Sequence, residues 1–427
     1  TANKLGVDVI ISDHHITPKK LPKAFAVLNS KRADCDYPFD MLCGAAVAFK
    51  LVQGLIAKGD FSQKFSPGWE KWLLDLVGLS TVADMVPLTG ENRVLAHYGL
   101  KVLRKTKRPG LQKLFRVLNI NQSTITEDDI GFMIAPRINA ASRMSDPRIA
   151  FDLLTADDVG NGESLAKELN KLNDIRKGTV ASMIKEMKHT LSQKEIISPV
   201  IVMGNPHWQP GLLGLAANNL MEAHARPVFL WGKEGGDNLK GSCRSDGSVD
   251  VVDLMREVPR HVFIDFGGHK FSGGFQVSYD YIHEFDKHIE EAYEKVKDEA
   301  FEEIVLIDKK MVLDEVNEKN WGLINKMSPF GEGNPKPLFL FENVKPENIR
   351  QFGKNKEHLE MTFRKSDGSF LRAIEFFSNR EEFKGSTLGQ VDLRSNLGFK
   401  PINLLANIEK STFGGRTELR LRVVDLL

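Results

Sequence analysis

The alternation of apolar and polar positions divides the chain into stretches of different period. "VDVII" (residues 7–11) is an unbroken, largely β-branched apolar run that predicts a strand covered on both faces. Pro18 and Pro22 punctuate the loop behind it. "LCGAAVAFKLVQGLI" (42–56) predicts a helix with a small-residue face. "KWLLDLVGLSTVADMVPL" (71–88) starts helical and passes into an apolar run closed by Asp84, just before Pro87. Strand-like and helical stretches alternate in this way through the first third of the chain, as a parallel sheet requires.

The character changes after residue 155. Leu165, Leu169, Leu172, Val180, Met183, Met187 and Leu191 recur at helical steps amid many charges, which predicts a long amphipathic helix joining two domains. "SPVIVMGNPHWQPGLLGLAANNL" then reads as strand, glycine-bearing loop and helix. It opens a second α/β block that runs through "RPVFLW", "GSCRSDG" and "DFGGHKFSGG" to a charged helix. From Ile304 onward the chain is β-rich, with a hairpin expected around Asp367-Gly368, and reads as a small barrel. The expected architecture is α/β: a parallel-sheet domain over 1–155, a connecting helix over 156–195, a second α/β domain over 196–303 and a β-barrel over 304–427.

Composition refines this picture only in places. The 427 residues are 41% hydrophobic and 27% charged, as in a soluble globular protein, and no apolar run is long enough to span a bilayer. The net charge of +1 argues neither for nor against a nucleic-acid partner. Locally, "KVLRKTKRPGLQKLFR" (101–116) is basic without an acidic residue, which fits either a polyanion contact or a solvated helix face. Cys35, Cys43 and Cys243 form no CxxC pair, so neither a zinc site nor a disulfide framework is expected, and a reducing cytoplasm is the natural setting. The chain begins with Thr1 and opens directly on a strand, so a fragment or processed product is expected.

Five segments carry candidate chemistry. Asp13, His14 and His15 follow the first strand, where ligands of open α/β sheets sit. Side chains alternate along a strand, so one histidine could face a metal and its neighbour a substrate, with Asp13 orienting or ligating. Imidazole and carboxylate together suit manganese, iron, zinc or, with more oxygen ligands, magnesium. Asp84 is either a further metal-type carboxylate or a helix cap.

In "APRINAASRMSDP" (135–147), Arg137 and Arg143 flank Asn139; guanidinium forks match phosphate oxygens, and an interdomain ion-pair cluster is the alternative. "GSCRS" puts Ser242 and Arg244 on one face of an extended segment, a hydroxyl and a guanidinium that could clamp a terminal phosphate. In "DFGGHKFSGG", Gly267 and Gly268 are read as a turn that lets backbone N–H groups approach an anion, with His269 beside it.

Taken in order, "DHH", "STVADMVPL", "RINAASRM", "GSCRS" and "GGH" resemble the DHH phosphoesterase superfamily. The spacing and tail are similar to its bacterial single-strand-specific exonucleases, with support from "DYPFDMLCGAAVAFKL", "LNKLNDIR", "GLLGLAANNL" and "SPFGEGNPKPLF". The resemblance covers nearly the whole chain and implies a second domain of the DHHA1 type and a tail of the oligonucleotide/oligosaccharide-binding (OB) type.

It also implies roles. His14 would ligate one of two divalent ions, Mn2+ or Mg2+, and Asp84 would be a further ligand, with Asp13 and His15 supporting the metal or contacting substrate. Arg137, Asn139 and Arg143 would line the path to the scissile phosphate. Ser242 and Arg244 would hold a 5′-terminal phosphate, and Gly267, Gly268 and His269 would contact the nucleotide near the cut. Three departures stand out. The family's HxDxD strand end and a later lone aspartate, both upstream of "DHH", are absent. Trp208-Gln209 replaces Trp-His, and Ser142 stands at a usual glycine, where it would tighten the loop between Asn139 and Arg143.

The function so implied is a metal-dependent 5′→3′ exonuclease of single-stranded DNA in repair and recombination. A channel between the two α/β blocks, too narrow for a duplex, would select single strands. Single-stranded DNA would be its partner, with a single-strand-binding protein and a helicase beside it and no membrane. A monomeric state is expected. Two alternatives stay open: a DHH phosphodiesterase of short RNA or cyclic dinucleotides, and a non-catalytic single-strand-binding fragment. The latter follows from the incomplete metal motifs, which would leave this chain with weak or absent turnover.

Overall fold

Strand β1 (Ile10–Ser12) pairs in parallel with β2 (Ala26–Leu28), Ile11 lying opposite Val27. These two strands form a sheet of their own among the described residues. The cover expected on both faces of β1 is incomplete among the described residues: Ile10 remains 48% exposed, while Ile11 on the other face is half-buried. The structure, a computed structural model, describes residues 2–18, 20–61, 64–233, 235, 239–297, 304–353, 356, 358–376, 399–411 and 417–427.

Helix α1 (Gly44–Lys58) buries Ala46, Val47 and Phe49, the small-and-apolar face legible in the sequence. Helix α2 (Leu74–Ala83) takes in the apolar run, and Asp84 is its C-cap. Helix α3 (Gly90–Leu103) packs on α2 where Gly78 meets Gly99 backbone to backbone.

The basic stretch leads into α4 (Pro109–Val117), with proline in the first turn where its missing N–H costs nothing. Several of its cations are engaged by protein groups: Arg104 Nε donates to the Ile125 carbonyl at 2.8 Å, and Lys113 pairs with Glu163 at 2.5 Å. A π-helical turn (Asp129–Ile134) precedes α5 (Ala135–Met144), and α6 (Arg148–Thr155) follows. The long amphipathic helix is α7 (Val159–Ser192), started by Asp158, whose side chain accepts the Asn161 N–H at 2.7 Å.

The second sheet has the order β3-β4-β5-β7-β6: β3 (Ile201–Gly204), β4 (Val228–Lys233), β5 (Leu239–Arg244), β6 (Phe263–His269) and β7 (Ser272–Val277). Helix α8 (Pro210–His224) connects the parallel pair β3 and β4, and the other pairings are antiparallel. Alternation along β4 serves two cores. Val228 and Leu230 pack with α8 and the Met183–Met187–Leu191 stripe of α7, while Phe229 packs with α9 (Val251–Glu257) and α10 (Phe285–Val296).

The tail contains β8 (Lys309–Lys310), α11 (Glu318–Asn325), β9 (Phe339–Val344), β10 (Pro346–Phe352), β11 (His358–Arg364), β12 (Phe370–Glu375), β13 (Ile402–Ser411) and β14 (Glu418–Leu426). The expected hairpin is β11–β12, turning at Gly368 with φ of 82°. The strands follow the order β10-β11-β12-β14-β13-β9-β8. The expected barrel is thus open among the described residues, since edge strands β10 and β8 do not pair. Bulges in β10 and β13 bend the sheet around a core that includes Phe341, Met361, Phe363 and Leu404.

Two compact units result. One holds residues 1–105, 123–130 and 304–427, and the other holds 106–122 and 131–303. Among the described residues no helix is long and apolar enough to cross a membrane.

Candidate metal centre and anion-binding residues

The first cluster lies just past β1 in the first unit. Leu28 O accepts the Asp13 N–H at 2.9 Å, extending the β1–β2 pairing by one residue. The Asp13 carboxylate then gathers the turn: Oδ1 accepts the His14 N–H at 2.7 Å, the His15 N–H at 3.3 Å and the His15 ring Nδ1 at 2.8 Å. The bond from His15 is the largest influence holding the Asp13 carboxyl below the usual carboxylate range. Buried Asn29 donates to the His15 carbonyl at 2.8 Å, and α1 begins at Gly44 against the His14 ring.

The two histidines do not point to opposite faces. Their ring centroids are 4.4 Å apart and tilted by 53°. Strand alternation has ended at Ser12, and the Asp13-centred turn brings both rings to one side. One ligand atom from each of Asp13, His14 and His15 fits within 4.8 Å. Asp84, presented by the C-terminus of α2, reaches His14 Nδ1 at 3.4 Å. It is both a helix cap by position and a partner of the cluster. The donor set of carboxylates and imidazoles, half-exposed and within a few ångströms, fits a divalent transition-metal ion.

The second group lies in the other unit. "APRINAASRM" is helix α5, not a loop, so its residues spread around an axis: at 100° per residue, Arg137 stands roughly 160° from Asn139, while Asn139 and Arg143 share a face. Arg137 Nε donates to Asn170 Oδ1 of α7 at 3.3 Å. Arg143 Nη1 donates to the Gly211 carbonyl in the first turn of α8 at 2.9 Å. Asn139 is exposed, and Ser142 donates to its carbonyl.

On β5, Ser242 and Arg244 converge: Arg244 Nη1 donates to Ser242 Oγ at 3.2 Å and to the Cys243 carbonyl at 2.7 Å. Gly214 of α8 makes room for them, because a Cβ there would lie 2.7 Å from Arg244 Nη2. Burial, and secondarily the charge of Arg143, lowers the Arg244 pKa.

Gly267, Gly268 and His269 sit at the end of β6, opposite Gly274, Gly273 and Ser272 of β7. The turn is Lys270-Phe271, so the two glycines are strand residues and not the anion-binding turn expected. Gly268, at φ 154°, is demanded by close approach, since a Cβ would lie 2.3 Å from the Ser272 carbonyl oxygen. His269 is exposed at the hairpin end.

Three residues of α7 belong with this group and carried no assigned role in the sequence. Asn173 is fully buried, and both its side-chain amide atoms lack a hydrogen-bond partner. One turn on, Arg176 Nε is also buried and unpartnered. Lys177 follows it. Burial lowers the pKa of Arg176, with Arg143 and Arg137 adding to the effect, and burial likewise lowers that of Lys177. Among the described residues no carboxylate forms an ion pair with Arg137, Arg143, Arg176 or Arg244. Arg137, Arg176 and Arg244 are half-buried and Arg143 is exposed; the Asp174 carboxylate offsets part of the Arg137 charge, and an anion joining the group would offset more. The signal was the phrase "LNKLNDIR", whose Asn and Arg fall on one helical face.

A strand-end Asp-His-His with a partnering aspartate is the arrangement expected of the DHH class. The sequence profiles of three families match the chain: the DHH family N-terminal domain over residues 1–81, the DHHA1 domain over 193–298 and the RecJ OB domain over 307–425. Two curated proteins similar to it both bear the name single-stranded-DNA-specific exonuclease RecJ. That of Bacillus subtilis is 33% identical, over 88% of this chain and 46% of its own length. That of Haemophilus influenzae is 31% identical, over 98% of this chain and 73% of its own length. The crystal structure of RecJ from Thermus thermophilus in complex with Mn2+ superposes with a TM-score of 0.77 at 27% identity, covering 99% of this chain and 58% of that one. The chain belongs to the RecJ family. It spans about half the length of the Bacillus subtilis relative and about three quarters of the Haemophilus influenzae one.

Proposed function

We propose that the protein is a metal-dependent exonuclease that degrades single-stranded DNA from its 5′ end to 5′-mononucleotides, in repair and recombination. The observation that carries this reading is the Ser242–Arg244 pair, a half-buried hydroxyl and guanidinium 3.2 Å apart with no carboxylate among the described residues to neutralise them. A terminal phosphate supplies the missing charge and acceptors. Polarity would come from that clamp, since only a free 5′ end would reach it.

His14 and Asp84 would hold divalent metal, with Asp13 fixing the His15 ring. When bound, two Mn2+ or Mg2+ ions would acidify a water and stabilise the entering and leaving oxygens of the phosphodiester. Relatives solved with Mn2+ and with Mg2+ support a divalent ion. Arg137 and Arg143, joined by Arg176, would neutralise charge developing on the scissile phosphoryl group, and Asn139 would orient it. Gly267, Gly268 and His269 would contact the nucleotide behind the cut, and the tail would guide the strand. We further assign the protein to the cytoplasm as a monomer, working with a single-strand-binding protein and a helicase.

The test compares oligonucleotides with 5′-phosphate and 5′-hydroxyl ends in Mn2+. Arg244→Ala is expected to slow release from the phosphorylated end far more than from the hydroxyl end. Equal losses on both would contradict the clamp.

A further inference from the structure

Asp84 caps α2, and the residue after it, Met85, holds a left-handed φ of 54°. A non-glycine residue persists there only where its surroundings fix it. Part of the fixing is local, since the Met85 N–H donates to the Val82 carbonyl at 3.2 Å and Asn92 Nδ2 of α3 donates to the Pro87 carbonyl at 3.0 Å; the rest comes from the tail, which closes on residues 87–89. The Leu88 N–H donates to the Glu332 carbonyl at 2.6 Å. A Cβ on Gly331 would lie 2.9 Å from Leu88 Cδ1. One on Gly333, whose φ is 69°, would lie 3.1 Å from Thr89 Cγ2 and 3.2 Å from Pro87 Cβ. Glycine at both positions lets the tail's backbone close directly on residues 87–89.

The tail loop is itself tied down from the same side. Arg93 Nη2 donates to the Met327 carbonyl at 2.6 Å, and Glu127 Oε1 accepts the Phe330 N–H at 3.1 Å. Lys336 pairs with Asp128. Within the loop, Asn334 Nδ2 donates to the Met327 and Pro329 carbonyls at 3.0 and 2.8 Å. All of these residues belong to one compact unit.

We propose that the "SPFGEGNPKP" loop is a positioning element of the metal centre: by clasping residues 87–89 it fixes the Met85 turn, and so sets where the Asp84 carboxylate stands relative to His14. This rests on the metal-centre reading above. It gives the tail a duty apart from guiding a strand, and it explains why the loop carries glycine where it closes on Pro87, Leu88 and Thr89.

The experiment titrates Mn2+ by the electron paramagnetic resonance of the free ion, and follows amide exchange at Leu88. It uses the whole chain as wild type and as Gly333→Val, Gly331→Ala, Asp84→Ala and Phe363→Leu. Phe363 lies in the tail core and serves as a control for stability alone. Gly333→Val is expected to weaken Mn2+ binding about tenfold and to speed exchange at Leu88. Gly331→Ala, which presses on a flexible side chain and so keeps the fold, should shift both in the same direction by less. Phe363→Leu should lower the melting temperature and leave Mn2+ affinity unchanged. Wild-type Mn2+ affinity in both glycine variants, with loss in Asp84→Ala, would overturn the positioning role alone. Undiminished affinity in Asp84→Ala would overturn the metal-centre reading and the clasp with it.

Discussion

Gly78 of α2 and Gly99 of α3 meet so closely that a Cβ on Gly99 would lie 2.4 Å from the Gly78 Cα and 2.8 Å from the Leu74 carbonyl oxygen. The contact is backbone on backbone, so no side chain can swing aside. The helix that ends at Asp84 is thus seated by the absence of one carbon atom. Gly99→Ala is expected to destabilise the protein by about 1–3 kcal/mol, as overpacking does, and urea denaturation measures it.

Asp13 fixes the His15 ring and two backbone N–H groups. Supports of this kind typically contribute about 10–100-fold to metal affinity. Asp13→Ala should therefore weaken Mn2+ binding within that range while circular dichroism shows an intact fold. Unchanged affinity would mean that the Asp13 turn does not serve the metal.

Glu127 behaves oppositely to Asp13. Burial, more than any other influence, pushes its carboxyl above the ordinary carboxylate range, although it accepts the Phe330 N–H. A raised folded-state value means that the folded protein holds its proton longer than the unfolded chain. Stability then falls as pH rises from the ordinary carboxylate range through the raised value. Glu127→Gln keeps the acceptor and removes the charge, so melting temperature should decline less between pH 4 and pH 7 in the variant, read by calorimetry.

The cysteines differ in reach. Cys243 is buried with its thiol pushed up to about 12 by burial, and Cys43 is buried against Thr81, whereas Cys35 is half-exposed. A maleimide at neutral pH should label Cys35 in the native protein and all three thiols in urea. Rapid native labelling of Cys243 would contradict the packing of β5.

Periodicity made the helices and hairpins legible because burial there follows local geometry. The stripe from Leu165 to Leu191 and the Asp367-Gly368 turn needed no tertiary information, and the two-residue step placed Ser242 beside Arg244. What failed depended on where regular structure stops. Side chains alternate only while a strand lasts, and β1 ends one residue before Asp13, so the histidine rings turned together. Pro136 disguised α5 as a loop, although proline is at home in a first helical turn. Gly267 and Gly268 suggested a turn, yet the chain needed glycine in a strand where β7 comes close. Arg176 escaped notice because an i, i+3 pair on a long charged helix looks like solvated surface until burial is known.

The account is tested most directly with a single strand carrying distinct labels at its two ends, incubated with the protein and Mn2+. The 5′ label is predicted to leave first, as a mononucleotide, and His14→Ala is predicted to abolish its release. Release of the 3′ label first, or undiminished release by His14→Ala, would contradict it.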